Sequence, residues 1–194
     1  SKKEVIGSIV RKVKNKLLSK IMIKRRNKRF IAKITLNKEQ LEEQRNTKFS
    51  KDVKFSIMVP LYNTPEQFLR DMIGSVQAQT YGNWELCLAD GSDAEHSYIE
   101  ELCREYAAKA NGRIVYKHLD HNGGISYNTN ECYKLATGDY IGLFDQDDIL
   151  HPSVLYAYVK EINEQGADYL YCDETTFKEN DINKMLTMHF KPDY

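Results

Sequence analysis

The sequence predicts an α/β fold: a mainly parallel sheet with helices on both faces, preceded by a basic helical N-terminal segment. Three observations predict it. From Phe55 onward, short apolar runs alternate with stretches of helical spacing, the pattern of right-handed βαβ units. The predicted strands end at Pro60, Asp90, Leu119 and Asp145, so successive ends lie 30, 29 and 26 residues apart, the size of such units. Finally, the charge divides sharply: residues 1–51 hold 17 Lys/Arg and 4 Asp/Glu, against 11 and 24 in residues 52–194. A net charge of +0 thus conceals a basic segment (1–51) joined to an acidic domain (52–194).

Each element has its own signal. Val5 to Met22 repeats apolar residues at helical intervals with Lys and Arg between them, and a second basic cluster runs from Lys24 to Lys33. Lys38–Arg45 reads as a polar helix and Lys48–Lys54 as a linker. Phe55–Tyr62 is a buried strand closed by Pro and Asn. Pro65–Gln79 is an amphipathic helix through Phe68, Leu69, Met72, Ile73 and Val76. Strands follow at Trp84–Asp90, Arg113–Leu119 and Tyr140–Asp145, with helices at Tyr98–Ala110, Ser126–Ala136 and Pro152–Gln165. The last of these helices starts on a proline, which is tolerated in a first turn. Asp168–Asp173 is a fifth strand by its apolar texture, and Phe177–Phe190 a hairpin or loose excursion around Glu179–Asn180–Asp181. Continuous runs such as Ile141–Phe144 suit strands covered on both faces.

Several functions are excluded. No run of eighteen apolar residues is present, so no transmembrane helix is expected, and the charged N-terminus lacks the plan of a signal peptide. Cys87, Cys103, Cys132 and Cys172 make no CxxC pair and are expected as buried free thiols in a reducing cytosol. There is no GxxxxGK[ST] loop, which removes a P-loop site, and no GxGxxG after the first strand, which argues against a dinucleotide Rossmann site. Nucleic acid is not an expected partner, because the acidic domain repels phosphate backbones and the basic segment has few aromatics.

In an open parallel sheet, ligands bind outside the carboxyl ends of the strands. The residues there are Pro60-Leu61-Tyr62-Asn63, Asp90-Gly91-Ser92 and Asp145-Gln146-Asp147-Asp148. Carboxylates in an Asp-x-Asp spacing suit Mg²⁺ or Mn²⁺ bound together with a diphosphate. An acidic strand end also serves as a helix cap. Three carboxylates within four positions, with Asp90 on another strand end, favour a cation-binding cluster of Asp145, Asp147 and Asp148. Asn122-Gly123-Gly124 is a tight turn or a place of close ligand approach.

The segments PLYN (60–63), SVQAQTYGNWELCLADGS (75–92), NGGISYNTN (122–130), ATGDYIGLFDQDDILHP (136–152) and FKPDY (190–194) resemble family 2 glycosyltransferases. The similarity is to the bacterial branch that builds rhamnan, O-antigen and capsule-like polysaccharides. It covers Phe55 to Tyr194. It implies a GT-A-type, Rossmann-like sheet, a nucleotide-diphosphate sugar donor with a UDP-sugar as first choice, and a Mn²⁺ or Mg²⁺ cofactor. By resemblance, Pro60 and Tyr62 border the base and ribose and Asp90 hydrogen-bonds the base. Asp145 faces the ribose or diphosphate, Asp147 ligates the metal, and Gly124 and Asn128 lie where the third-strand loop passes the donor. The sequence departs from the family where Ala89 replaces one of a paired set of acids and where Thr129 replaces a frequent Arg. Family members continue into an acceptor-binding half that carries the catalytic base, so none is expected within these 194 residues and the chain reads as a truncated, inactive donor-binding part.

The expected partners are therefore the donor and a glycan or lipid-linked acceptor; residues 5–33 are expected either to touch a membrane surface or to pack on their own domain through the same apolar stripe. The expected setting is the cytoplasm, peripheral at the inner face of the cell membrane. Two other readings remain open: a nucleotidyltransferase, although residues 60–68 lack its glycine- and arginine-rich loop, and a non-catalytic nucleotide-binding or docking module.

Overall fold

The structure is a computed structural model that describes residues 2–178 and 181–192. It contains α1 (Lys2–Ile34), α2 (Lys38–Asn46), β1 (Phe55–Leu61), α3 (Glu66–Gln77), β2 (Trp84–Asp90), α4 (Tyr98–Lys109), β3 (Ile114–His118), α5 (Ile125–Tyr133), β4 (Tyr140–Leu143), α6 (Val154–Gln165), β5 (Glu174–Lys178) and β6 (Asp181–His189). Two compact units result, residues 41–170 and the combination of 1–40 with 171–194.

In the larger unit four parallel strands pair in the order β3-β2-β1-β4. The pleat sends alternate residues to opposite faces. Phe55, Ile57, Val59 and Leu61 of β1, with Trp84, Leu86 and Leu88 of β2, enter the main core beside residues of α3, α4 and α6. Met58, Cys87 and Ala89 face the other way and meet Leu119 and Cys132 in a smaller cluster on the α5 side. Helices therefore stand on both faces, as the sequence predicts. At 25 cal/mol per Å² of apolar area, each fully buried Leu or Ile here contributes about 2 kcal/mol.

β4 departs from expectation. Its apolar run is not covered on both faces: Ile141 is exposed and Leu143 is 76 % exposed. The reason is position, since β4 is the sheet's edge and α5 packs on β1 and β2. A second correction concerns residues 168–173. They form no strand, Tyr169 is 82 % exposed and Cys172 is exposed rather than buried. A strand needs a ladder partner, and the division between the two units falls inside this run. The other three thiols are buried. Burial pushes Cys87 up to about 12 and Cys132 up to about 11, which leaves them protonated and inert.

In the smaller unit, α1 absorbs both basic clusters into one helix. β5 and β6 pair antiparallel, as a hairpin in this region requires; Glu179 and Asn180 lie outside the described residues. α1 contacts β6, with the Asn27 amide donating to the Met185 carbonyl at 2.9 Å and Phe30 edge-on to Phe190. The side chains at positions 5, 6, 9, 10 and 13 of the predicted apolar stripe lie outside the described residues. No described helix is long and apolar enough to cross a membrane.

Candidate functional site

The carboxyl edge of the sheet is knitted together before any ligand arrives. The β1–β2 ladder runs to Leu61 opposite Asp90, and the Gly91 N–H continues it to the Leu61 carbonyl at 3.0 Å. β3 joins through the Leu119 N–H, which donates to the Asp90 carbonyl at 2.8 Å. Beyond β1, Asn63 takes a positive φ of 49°. Its amide trades hydrogen bonds with Asp93: Asn63 Nδ2 donates to Asp93 Oδ2 at 2.8 Å, and the Asp93 N–H donates to Asn63 Oδ1 at 3.2 Å. Asparagine is among the few side chains that tolerate this conformation.

Between these strand ends lies a cleft of about 290 Å³. Pro60, Tyr62, Gly124, Asn128, Asp145 and Asp147, six of the eight residues proposed from sequence, line it together. Asp148 and Asp90 are the exceptions. Asp90 is 1 % exposed and outside the lining. Its Oδ1 accepts from the Ser92 N–H at 2.9 Å and its Oδ2 from the Tyr116 hydroxyl at 2.7 Å, with His118 Nδ1 3.8 Å away. Each carboxylate oxygen has a second lone pair, so a further donor can still be accepted. Burial and the Asp90 charge together push the Tyr116 phenol far up, so it remains a donor.

The third-strand loop owes its shape to two asparagines. Asn122 Oδ1 accepts from the Gly124 N–H and from Asn128 Nδ2, both at 3.0 Å, while Asn128 Oδ1 accepts from the Gly123 N–H at 3.3 Å. Asn128 is 2 % exposed, so its amide is committed to this turn. Gly124 has φ 85° and ψ 174° as the N-cap of α5, which demands glycine. A Cβ on Gly91 would come within 3.0 Å of Asn128 Nδ2 and 3.1 Å of the Asn122 backbone; the second-strand turn packs on the third-strand loop for that reason.

Asp145 and Asp147 are exposed lining residues at the end of β4. Asp148 is not in the lining. The turn closes behind Asp145, with the Asp148 N–H 3.3 Å from the Asp145 carbonyl. Among the described residues no three His, Cys, Asp or Glu side chains gather into a metal-holding group; of the three expected carboxylates, Asp145 and Asp147 line the cleft. Mg²⁺ is held by one or two carboxylates together with phosphates and waters rather than by an all-protein cage.

Asn122, in the turn that the sequence marks for close ligand approach, also lines the cleft, as do Leu61, Ile125 and Gln146, which sequence reasoning does not single out. In sequence Gln146 reads as the spacer of Asp-x-Asp; its polarity at a predicted strand end is the available signal.

Residues 56–192 match glycosyl transferase family 2. The chain belongs to that family. A Sinorhizobium fredii protein is 38 % identical over 141 residues, which are 72 % of this chain and 15 % of that protein. The glycosyltransferase GlyG of Streptococcus pneumoniae is 29 % identical over 66 % of this chain and 41 % of its own length. The minor teichoic acid biosynthesis protein GgaB of Bacillus subtilis is 39 % identical over 50 % of this chain and 10 % of its own. The family 2 chain thus spans at most about two fifths of these relatives. Among solved structures, S. aureus TarS superposes with TM-score 0.52 at 22 % identity over 65 % of this chain and 40 % of that one. The mannosyltransferase PcManGT of Pyrobaculum calidifontis, solved with GDP-Man and Mn²⁺, gives 0.52 at 15 % over 74 % and 43 %. The shared fold is the GT-A type.

Proposed function

We propose that this family 2 chain is the donor-binding part of an inverting, cation-dependent glycosyltransferase. It moves a sugar from a nucleotide-diphosphate donor, a UDP-sugar first, onto a growing cell-surface polysaccharide or lipid-linked glycan. One observation carries the reading: a single cleft at the sheet edge holds Asp145 and Asp147 opposite Pro60 and Tyr62, with the start of α5 at its rim. A helix N-terminus favours phosphate, and Tyr62 offers a half-exposed ring to a base or ribose. Relatives named in teichoic acid and O-antigen biosynthesis support the product class. Structures of TarS with UDP-GlcNAc and of PcManGT with GDP-Man support the donor class.

In this reading residues 52–194 are the donor-binding domain and 1–51 a basic appendage. Pro60 and Tyr62 hold the nucleoside, and Asp90 accepts from the base. Gly124 lets the diphosphate approach the backbone, and Asn128 fixes that loop. Asp145 faces the ribose or diphosphate, and Asp147 would hold Mn²⁺ or Mg²⁺. When bound, the cation offsets charge developing on the departing diphosphate. An acceptor hydroxyl attacks the anomeric carbon, the bond from that carbon to the diphosphate oxygen breaks with its electron pair, and the configuration inverts. The hydroxyl proton passes to a base outside residues 1–194. The 194-residue chain should accordingly bind donor without transferring sugar.

A thermal-unfolding screen of UDP and GDP with Mn²⁺ tests this. At a ligand concentration a hundredfold above Kd, stabilisation of about 2.7 kcal/mol is expected. Asp147→Asn should abolish the Mn²⁺-dependent part. An undiminished Mn²⁺ response in that variant would place the cation elsewhere.

A further inference from the structure

Parallel ladders are built by backbone groups, yet at the cleft a side chain replaces them. The pairing of β1 with β4 ends at Met58 opposite Leu143, followed by one last bond from the Phe144 N–H to the Met58 carbonyl at 3.1 Å. Two residues further along β1 stands Pro60, which has no N–H to donate. From there the two strand ends that carry the cleft are no longer joined by a ladder. Gln146 rejoins them. Its Oε1 accepts from the Tyr62 N–H at 2.9 Å and from the Thr64 hydroxyl at 2.5 Å, and its Nε2 lies 3.4 Å from the Tyr62 carbonyl. The far end is firm: Thr64 is fully buried, and its carbonyl accepts from the Tyr98 hydroxyl at 2.7 Å.

Gln146 is flanked in sequence by Asp145 and Asp147, and all three line the cleft beside Tyr62. A displacement of the Asp145–Asp147 backbone must therefore either stretch the bonds to Tyr62 and Thr64 or carry the β1 end with it. We propose that Gln146 is a positioning residue that couples nucleotide binding at the end of β1 to cation binding at the end of β4. This rests on the donor-site reading above. Coupling of this kind is reciprocal: whatever factor the cation adds to nucleotide affinity, the nucleotide adds to cation affinity.

The experiment is calorimetric titration of UDP and of GDP into the 194-residue chain, with and without Mn²⁺. The measured quantity is the ratio of the two affinities for whichever nucleotide binds. In the wild-type chain the ratio should be about tenfold or more. In Gln146→Leu, which keeps the bulk and removes both hydrogen-bonding ends, it should fall below about threefold. In Thr64→Val, which keeps shape and removes one of the two donors to Oε1, it should fall between these values. A merely structural role would lower affinity equally in both arms and leave the ratio intact; that result overturns the proposal. So does a wild-type chain that binds nucleotide with no cation effect, which would leave the nucleotide site itself standing. Should Gln146→Leu fail to fold, Thr64→Val decides by the same ratio. A wild-type chain that binds neither nucleotide overturns the donor-site reading and this inference with it.

Discussion

Asp90 is a buried joint at the carboxyl edge of the sheet. Its two oxygens are held by Ser92 and Tyr116, and its backbone carbonyl anchors Leu119. It is a joint between three strand ends, and we propose that the base donates to the remaining lone pair of one oxygen. Asp90→Ala should cost about 1–3 kcal/mol of nucleotide affinity. Tyr116→Phe, which removes one donor and leaves the carboxylate, should cost clearly less. Calorimetry on the two variants separates the roles, and equal losses would make Asp90 a structural joint alone. The sequence marks Asp90 as a strand-end acid, but nothing in it points to Tyr116, 26 residues away. That pairing exists only because β2 and β3 lie in register, with Leu88 opposite Tyr116.

At the scale of elements, the opposite end of the sheet is fastened by a buried carboxylate. Glu85, 4 % exposed, is the second residue of β2. It accepts from Lys54 Nζ at 2.5 Å, Ser56 Oγ at 2.6 Å and the Thr137 N–H at 2.5 Å. It thereby ties the approach to β1 to the turn before β4. Gly138 completes the joint, since a Cβ there would sit 2.6 Å from the Lys54 carbonyl. Burial alone would raise the Glu85 carboxyl; the hydrogen bonds from Lys54, Ser56 and Thr137 outweigh it and hold it at about 2, below the ordinary 4.5. The folded value is depressed, so its contribution is present above about pH 4.5 and lost as pH falls toward 2. The stabilisation is on the order of 3 kcal/mol. Urea unfolding at pH 6 and pH 3 should show a loss in the wild type that is smaller in Glu85→Gln. Equal losses in the two proteins would remove Glu85 as the cause.

For the molecule as a whole, the basic segment is the part that the donor-site reading leaves unused. Within its described residues, α1 exposes Leu17, Leu18, Ile21, Met22 and Ile23 among Lys14, Lys16, Lys24, Arg25 and Arg26. Further along, Asn27, Phe30, Ile31 and Ile34 are buried or half-buried at helical spacing, where the helix meets β6. We propose that the exposed stretch lies on anionic lipid. Each Lys or Arg near such a surface contributes about 1 kcal/mol, and apolar side chains add to this at the headgroup boundary. Sedimentation with anionic vesicles should therefore retain the chain at low salt, release it at high salt, and fail after deletion of residues 1–51. Retention that ignores salt or survives the deletion would sink the idea.

The sequence by itself determined what local chemistry and periodicity can determine. The alternation of apolar runs and amphipathic stretches established the βαβ order, with β2 placed at its observed bounds. The acids and glycines at the strand ends marked the edge where six of eight proposed residues meet. What it could not determine is which elements become neighbours. Ile141–Phe144 reads as a strand covered on both faces, yet β4 is an edge strand with Leu143 exposed. Residues 168–173 have the texture of a strand but find no ladder partner. Gln146 looks like a spacer until Tyr62 and Thr64 arrive beside it, more than eighty residues earlier in the chain. Side-chain periodicity is a property of one segment, whereas burial, ladder pairing and hydrogen-bond partnership belong to pairs of segments. Only the folded arrangement supplies the second member.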